Sequence, residues 1–360
     1  MGRKILTINP GSTSTKIALF EEEAQIMSAK VNHTIEELKA FEKIYDQADY
    51  RRKLIVDTLN EKGVNLSELT AISARGGNMH PVVGGTYMVN AEMLEDLKVG
   101  VMGQHASNLG GIIANAIAAP LNISAYVVDP VIVDEMEPIA KISGTPEIAR
   151  KAKDHPLNQK AVSRKIAENM GGKYEDFNFV VAHMGGGISI GVHKNGKIID
   201  TNNCLDGDGP MSPERSGGVP FFSLVELCYS GKYTKEELRK KLVGGGGLAA
   251  YLGTNDALKV EAMIAEGNEK AKLMYEAMAY QVAKEIGAGA TALKGKVDRI
   301  IITGGLAYSK MLMGWIKERV EFIAPVELYP GELEMEALAL GVLRVMDNKE
   351  PLQTYPNPKK

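Results

Sequence analysis

Hydrophobic and polar positions alternate in blocks from the start of the chain. Lys4–Phe20 reads as an apolar β-type run, a turn of small polar residues and a second apolar run, which predicts a strand–turn–strand hairpin. Gln25–Val31 supplies a third strand, and Tyr50–Lys62 is predicted to be a helix closed by Gly63. Strands and helices then alternate. Ala71–Ala74 is a short strand running into Arg75, Gly76, Gly77 and a glycine-rich loop, helical spacing covers Ala91–Leu97 and about His105–Ala118, and Ala125–Val128 is a buried strand ending at Asp129. Pro130, Pro138 and Pro146 punctuate the neighbourhood of a domain boundary.

The second half repeats this plan. After a helix from about Pro156 to Met170, Phe179–Val192 again gives apolar strand, small-residue turn and apolar strand, with a third strand across Asn195–Gly196. A repeat of the three-stranded unit predicts an α/β chain of two related domains facing a cleft. Thr201–Gly218 is too glycine-rich and charged to belong to a core and reads as a long functional loop. Helices are expected at Pro220–Ser230, where Cys228 can pack, and at Lys235–Leu242, before Gly244–Gly247 breaks the chain. Asn268–Leu293 carries a long core helix, Val297–Gly305 a buried strand feeding a helix, and about Glu334–Met346 the last helix.

Composition narrows the function classes. At 360 residues the chain should hold about two domains, and its net charge of −3, without a long run of one sign, leaves no nucleic-acid footprint. Two cysteines, Cys204 and Cys228, are too few for a thiolate metal site or a disulfide framework and suit a reducing cytoplasm. No apolar run approaches a membrane span, and the start of the chain has no signal-peptide core, so a cytoplasmic protein with no membrane partner is expected.

The candidate chemistry sits in turns and at strand ends. Neither GxxxxGK[ST] nor GxGxxG occurs, and the first turn runs on into a strand rather than a helix. Its amides, hydroxyls and Lys16 nonetheless suit an anion such as phosphate. Polar groups recur at such positions in both halves: Asn9, Lys16, Arg75, Asp129, His183 and Arg215, with His155 starting a helix. Phosphoryl transfer needs the phosphates cradled, their charge neutralised, a divalent metal held and the acceptor aligned. Amides of Asn9–Lys16 and Met184–Gly187 can cradle, Arg75 and Arg215 can clamp oxyanions in pairs of parallel bonds, and Asp129 with an acidic residue near Glu334 can hold magnesium. His33, His80 and His193 read as structural hydrogen-bonders.

NPGSTSTK at Asn9–Lys16, AHMGGGIS at Ala182–Ser189, the Asp200–Gly217 loop with ERSG, and IITGG at Ile301–Gly305 resemble the acetate and butyrate kinases of the actin, Hsp70 and sugar-kinase superfamily. The short length, ARGG at Ala74–Gly77 and DGDGPMSPERSGG at Asp206–Gly218 resemble the butyrate kinase branch, including the branched-chain fatty-acid kinases. The resemblance implies two actin-like, ribonuclease H-like domains facing a nucleotide cleft. These would be an N-terminal domain of 1–135 plus roughly 336–360 and a C-terminal nucleotide-binding domain of 136–335. It implies reversible transfer between ATP and a short-chain carboxylate, giving an acyl phosphate and ADP with Mg2+, in a homodimer or higher homo-oligomer. By position it makes Asn9, Ser12, Ser14 and Lys16 the first phosphate hairpin, Arg75 and Arg215 the active-site arginines, and His105, His155 and His183 the cleft histidines. Gly185, Gly186, Gly187, Asp256, Gly304 and Gly305 fall on the nucleotide side. Asn9, Asp129 and Glu334 fall near the metal, with Glu332 and Glu336 as alternative registers for the glutamate.

The sequence departs from the acetate kinase pattern at Gly186, where that branch has Asn, and at Ala257 and Leu258, where it has an aromatic residue and an arginine. Alternatives on the same scaffold are an acetate or propionate kinase, a hydroxyl-acceptor kinase with Asp129 as base, or an ATP-switched interaction protein.

Overall fold

The computed structural model describes residues 2–356, apart from the side chain of Ile35. Contacts divide the chain into two units, one of residues 1–134 and 333–360 and one of residues 135–332. In the first unit β1 (Lys4–Pro10), β2 (Ser14–Glu21) and β3 (Ala24–Asn32) form an antiparallel meander, followed by α1 (Ile35–Lys39) and α2 (Ala48–Glu61). β4 (Ala71–Arg75) pairs parallel with β1, and β5 (Thr86–Met88), α3 (Ala91–Val99), α4 (Leu109–Ala118) and β6 (Ser124–Val128) follow. The sheet order is β3-β2-β1-β4-β6-β5, with β6 parallel to β4 and β5 antiparallel to β6.

The period of two along these strands decides where the chemistry sits. Leu6 and Ile8 of β1 and Ile72 and Ala74 of β4 enter a core with Ile55 and Leu59 of α2 and Leu109 and Ile113 of α4. Asn9 and Arg75 therefore belong to the opposite face of the same strands. Gly110 lets α4 close on the end of β4, because a Cβ there would lie 2.1 Å from the Arg75 carbonyl oxygen.

The second unit contains α5 (Pro156–Asn169), β7 (Asn178–Met184), β8 (Ile188–Lys194), β9 (Lys197–Thr201), α6 (Phe221–Tyr229), α7 (Lys235–Leu242), α8 (Gly247–Leu252), α9 (Ala257–Ala265), α10 (Glu269–Ala292), β10 (Arg299–Gly304), α11 (Lys310–Val320) and β11 (Val326–Pro330). Its sheet order, β11-β10-β7-β8-β9, has the antiparallel triplet and then parallel strands, as in the first unit. The predicted repeat is thus a repeat of topology. On β7, Val180, Ala182 and Met184 pack with α10 residues Tyr275, Met278, Val282 and Ile286, which recur at helical spacing. His183 is out of phase with that set. The chain closes with α12 (Glu334–Met346), which lies against β1, β4 and β6 of the first unit.

Several elements differ from expectation. α1, β5, α8, α9 and β11 were not anticipated, and the run at Gly244–Gly247 is an entry into α8 rather than only a break. The segment from His105 begins as a 3-10 turn, and α4 proper starts at Leu109. The loop at 201–218 is partly core: Asn202, Cys204, Met211 and Ser212 are all buried, with several of the loop's polar groups bonded internally. Asn202, for example, accepts from the Ile190 N–H and donates to the carbonyls of Ile188 and Asp208. Cys228, expected to pack, is exposed on α6.

Candidate active site

In the first unit the β1–β2 turn presents its polar groups as expected. Ser12 and Lys16 are exposed, Ser14 is half-buried, and Thr15 between them is buried. The Gly11 N–H donates to the Ser14 carbonyl at 2.7 Å and closes the turn. Behind it, Asn9 Nδ2 donates to Glu334 Oε2 at 2.6 Å, joining β1 to the first turn of α12. Arg75 Nη1 lies 3.2 Å from Glu334 Oε1, so the glutamate receives an amide and a guanidinium on one buried carboxylate. This favours Glu334 over the alternatives: Glu332 is exposed, and Glu336 is half-buried a half-turn further along the helix.

Asp129 follows β6 with only 2% of its surface exposed and φ of +36°, a region that residues with a Cβ rarely enter. Its Oδ1 accepts from the Gly85 N–H at 2.8 Å, and its own N–H donates to the Gly85 carbonyl at 3.0 Å. This reciprocal pair holds the strained carboxylate at the strand end. His105 accepts at Nδ1 from the Ser107 N–H, 3.2 Å away. Crowding by protein atoms, followed by the charges of Arg75 and Arg51, holds its imidazole below the ordinary range. Its surface is exposed, so solvent discounts the first of these causes.

The second unit brings His155, His183 and Arg215 into its own constellation. The His155 and His183 rings stack with centroids 3.9 Å apart. Ser189 Oγ lies 2.7 Å from His155 Nδ1 and accepts from Gln159 Nε2 at 2.8 Å. Asn158 Nδ2 lies 2.9 Å from His183 Nδ1, and as a donor there it places the ring proton on Nε2. Gln159 Oε1 in turn meets His193 Nε2 at 2.8 Å, and His193 Nδ1 meets the Tyr174 hydroxyl at 2.7 Å. Burial, then the charges of Lys160 and Arg164, keeps His193 neutral. A buried polar chain thus holds His155, and Asn158 holds His183. Gly191 makes room for the chain, since a Cβ there would lie 2.1 Å from Gln159 Oε1.

Gly185, Gly186 and Gly187 form the β7–β8 turn, closed by the Gly185 N–H donating to the Gly187 carbonyl at 3.0 Å. The 212–215 segment grips it, with Ser212 Oγ donating to the Gly186 carbonyl at 2.7 Å. Arg215 Nη1 occupies the space a side chain at Gly187 would take: an added Cβ would lie 1.4 Å from it. That Nη1 is buried and has no hydrogen-bond partner among the described residues. A buried donor without a partner is costly, and an anionic oxygen is its natural complement. Gly304, with φ of +91°, packs edge-on against Met184, and a Cβ there would lie 2.4 Å from the Met184 carbonyl oxygen. Gly305 beside it is exposed. Asp256 has a local task, capping α9 by accepting from the Leu258 N–H at 3.0 Å.

Sequence reasoning missed Asn158, Gln159 and Ser189, and also Gln47 and Arg51 behind the first turn. Asn158 and Gln159 carried a signal, since consecutive polar residues early in a helix that must cover a sheet imply a buried polar face.

Comparison with known proteins gives the family of the chain. Residues 146–321 match the Acetokinase family profile. The chain is 56% identical over 352 residues to Butyrate kinase 2 of Clostridium acetobutylicum, covering 98% of this chain and 99% of that protein. Among solved structures it is similar in fold to the acetate kinase of Porphyromonas gingivalis, with TM-score 0.76, 20% identity and coverage of 96% of this chain and 100% of the other. A propionate kinase of Francisella tularensis gives TM-score 0.76 at 20% identity, over 94% of this chain and 98% of its own. With 56% identity to Butyrate kinase 2 sustained over nearly the whole length of both chains, the protein belongs to the acetokinase family.

Proposed function

We propose that the chain transfers the terminal phosphoryl group of ATP reversibly to a short-chain carboxylate, butyrate or a branched-chain fatty acid, giving an acyl phosphate and ADP. The observation that carries this reading is the buried, unpartnered Nη1 of Arg215 over the glycine turn at 185–187. A carboxylate oxygen attacks the γ-phosphorus in line, and the bond from that phosphorus to the β–γ bridging oxygen breaks with its electron pair leaving on ADP. The acceptor is ionised at neutral pH, so no strong base is needed, and orientation with charge neutralisation carries the rate. Arg215 neutralises charge on the moving phosphoryl, the stacked His155–His183 pair offers it ring N–H donors, Arg75 orients the acceptor, and the two glycine- and serine-rich turns cradle phosphate oxygens. Asp129 and His105 line the acceptor side.

In this reading Asn9, Asp129 and Glu334 would hold Mg2+. With Asn9 Nδ2 engaged by Glu334, its amide oxygen is the remaining acceptor, and a carboxylate or two with such an oxygen suits a cation that keeps its waters. When bound, the ion would neutralise charge on the phosphates. A homo-oligomer is part of the same reading, supported by α6, where Phe221, Phe222 and Tyr229 are 85%, 85% and 88% exposed. The reading also puts the enzyme in the cytoplasm. Among the described residues no helix is long and apolar enough to cross a membrane.

Trapping with hydroxylamine tests the reaction. ATP, Mg2+ and butyrate should yield a hydroxamate, with rates across acetate, propionate, butyrate, isobutyrate and isovalerate peaking at four or five carbons. Hydroxamate from none of these acids would overturn the reading.

A further inference from the structure

We propose that Arg51, together with Gln47, is a positioning device that presets the first phosphate turn and supplies it with a buried positive charge. The inference rests on the reading of that turn as a phosphate cradle.

Arg51 lies on α2 with 1% of its surface exposed. Its Nη1 donates to the Gly11 carbonyl at 2.8 Å and its Nη2 to the Ser12 carbonyl at 3.0 Å. The remaining N–H groups go to Gln47 Oε1, at 3.1 Å from Nε and 2.9 Å from Nη2, and to Thr15 Oγ1 at 3.4 Å. All five donors are used, and every one of these acceptors is neutral. Burying a guanidinium against neutral groups alone is unfavourable for the fold, and a carboxylate at position 47 would serve stability better.

Two consequences follow at the turn. In a trans peptide the carbonyl and the next N–H point to opposite sides, so drawing the Gly11 and Ser12 carbonyls onto Arg51 turns the Ser12 and Thr13 N–H groups away from it. Ser12 and Thr13 are exposed, so those amides face where an anion can arrive. The charge is felt beyond the turn: Arg51 is among the causes that hold both His33 and His105 below their ordinary range.

Gln47→Glu separates this role from a structural one. It keeps the acceptor geometry and gives Arg51 a counter-ion, so the melting temperature should hold or rise, while kcat/KM for ATP falls roughly tenfold as the positive field is cancelled. Arg51→Lys keeps the charge but cannot span both carbonyls and Gln47, so it should also lose about tenfold in kcat/KM per folded molecule. Calorimetric Kd values for ATP and ADP should weaken with both variants. Wild-type kcat/KM and nucleotide affinity in folded Gln47→Glu would overturn the proposal, as would activity in Arg51→Lys that falls only with the folded fraction. If wild type binds ATP but transfers to no carboxylate, the functional reading fails while the Kd comparison still tests Arg51.

Discussion

Replacing Gly187 with alanine tests the role of Arg215 without touching its charge. The added Cβ would lie 1.4 Å from Arg215 Nη1 and 2.4 Å from Cζ. Ordinary contact begins near 3.5 Å, so the guanidinium must withdraw by about 2 Å. The atoms in the way are the far end of a flexible side chain, and Gly187 does not have a left-handed φ, so the backbone can stay in place. Misplacing a catalytic group by about 1 Å can cost on the order of 100-fold, and loss of one donor at a developing charge about 3–4 kcal/mol. Gly187→Ala should therefore lower kcat by about 100- to 1,000-fold, as measured by hydroxamate formation at saturating ATP and butyrate, with a melting temperature within a few degrees of wild type. Arg215→Ala should fall at least as far, and the double variant no further, because both changes remove one interaction. A folded Gly187→Ala enzyme with kcat within threefold of wild type would remove Arg215 from the mechanism.

Further outcomes are expected elsewhere. Glu334→Gln keeps an acceptor for Asn9 but loses the charge facing Arg75, so the KM for Mg2+ should rise and kcat fall by tenfold or more, read by titrating Mg2+ at fixed ATP. Burial, then the Arg51 charge, depresses His33 to about 4, so the folded protein keeps it neutral while the unfolded chain protonates near pH 6.5. Its stability contribution is thus fully present above pH 6.5 and is lost as pH falls towards 4, up to about 3 kcal/mol in total. Urea denaturation between pH 7.5 and 4.5 should show a shallower decline for His33→Gln than for wild type, and equal slopes would contradict the neutral assignment. With Gly186 bare and Leu258 78% exposed where acetate kinases carry larger contacts, ATP and GTP should support comparable rates. Strict dependence on ATP would refute that.

The sequence made some of this legible through periodicity. Once Leu6, Ile8, Ile72 and Ala74 are assigned to a core, Asn9 and Arg75 must share the other face of their strands, and the same phase argument sets His183 apart from Val180, Ala182 and Met184. The repeated hairpin also survived as topology. What escaped depended on close approach between distant segments. Gly247 takes φ of +58° with the Ser212 carbonyl oxygen 1.7 Å from where a Cβ would sit, so a glycine run that reads as a break is the packing contact that starts α8. β11 is a short strand with no fully buried residue, and it carries little apolar pattern to find. Arg51 left no trace, because an arginine on an amphipathic helix ordinarily points to solvent and only the fold turns this one under the hairpin.

The Asn9–Glu334 hydrogen bond spans 325 positions of sequence, with the whole second unit inserted between its partners. A ribosome that has delivered β1, β4 and β6 has yet to make α12, so the face of that sheet bearing Asn9 and Arg75 stays uncovered through most of synthesis. The second unit, being continuous, has no such wait. The protein therefore cannot assemble its first constellation until α12 has emerged, which ties formation of the Asn9–Glu334–Arg75 cluster to synthesis of that helix.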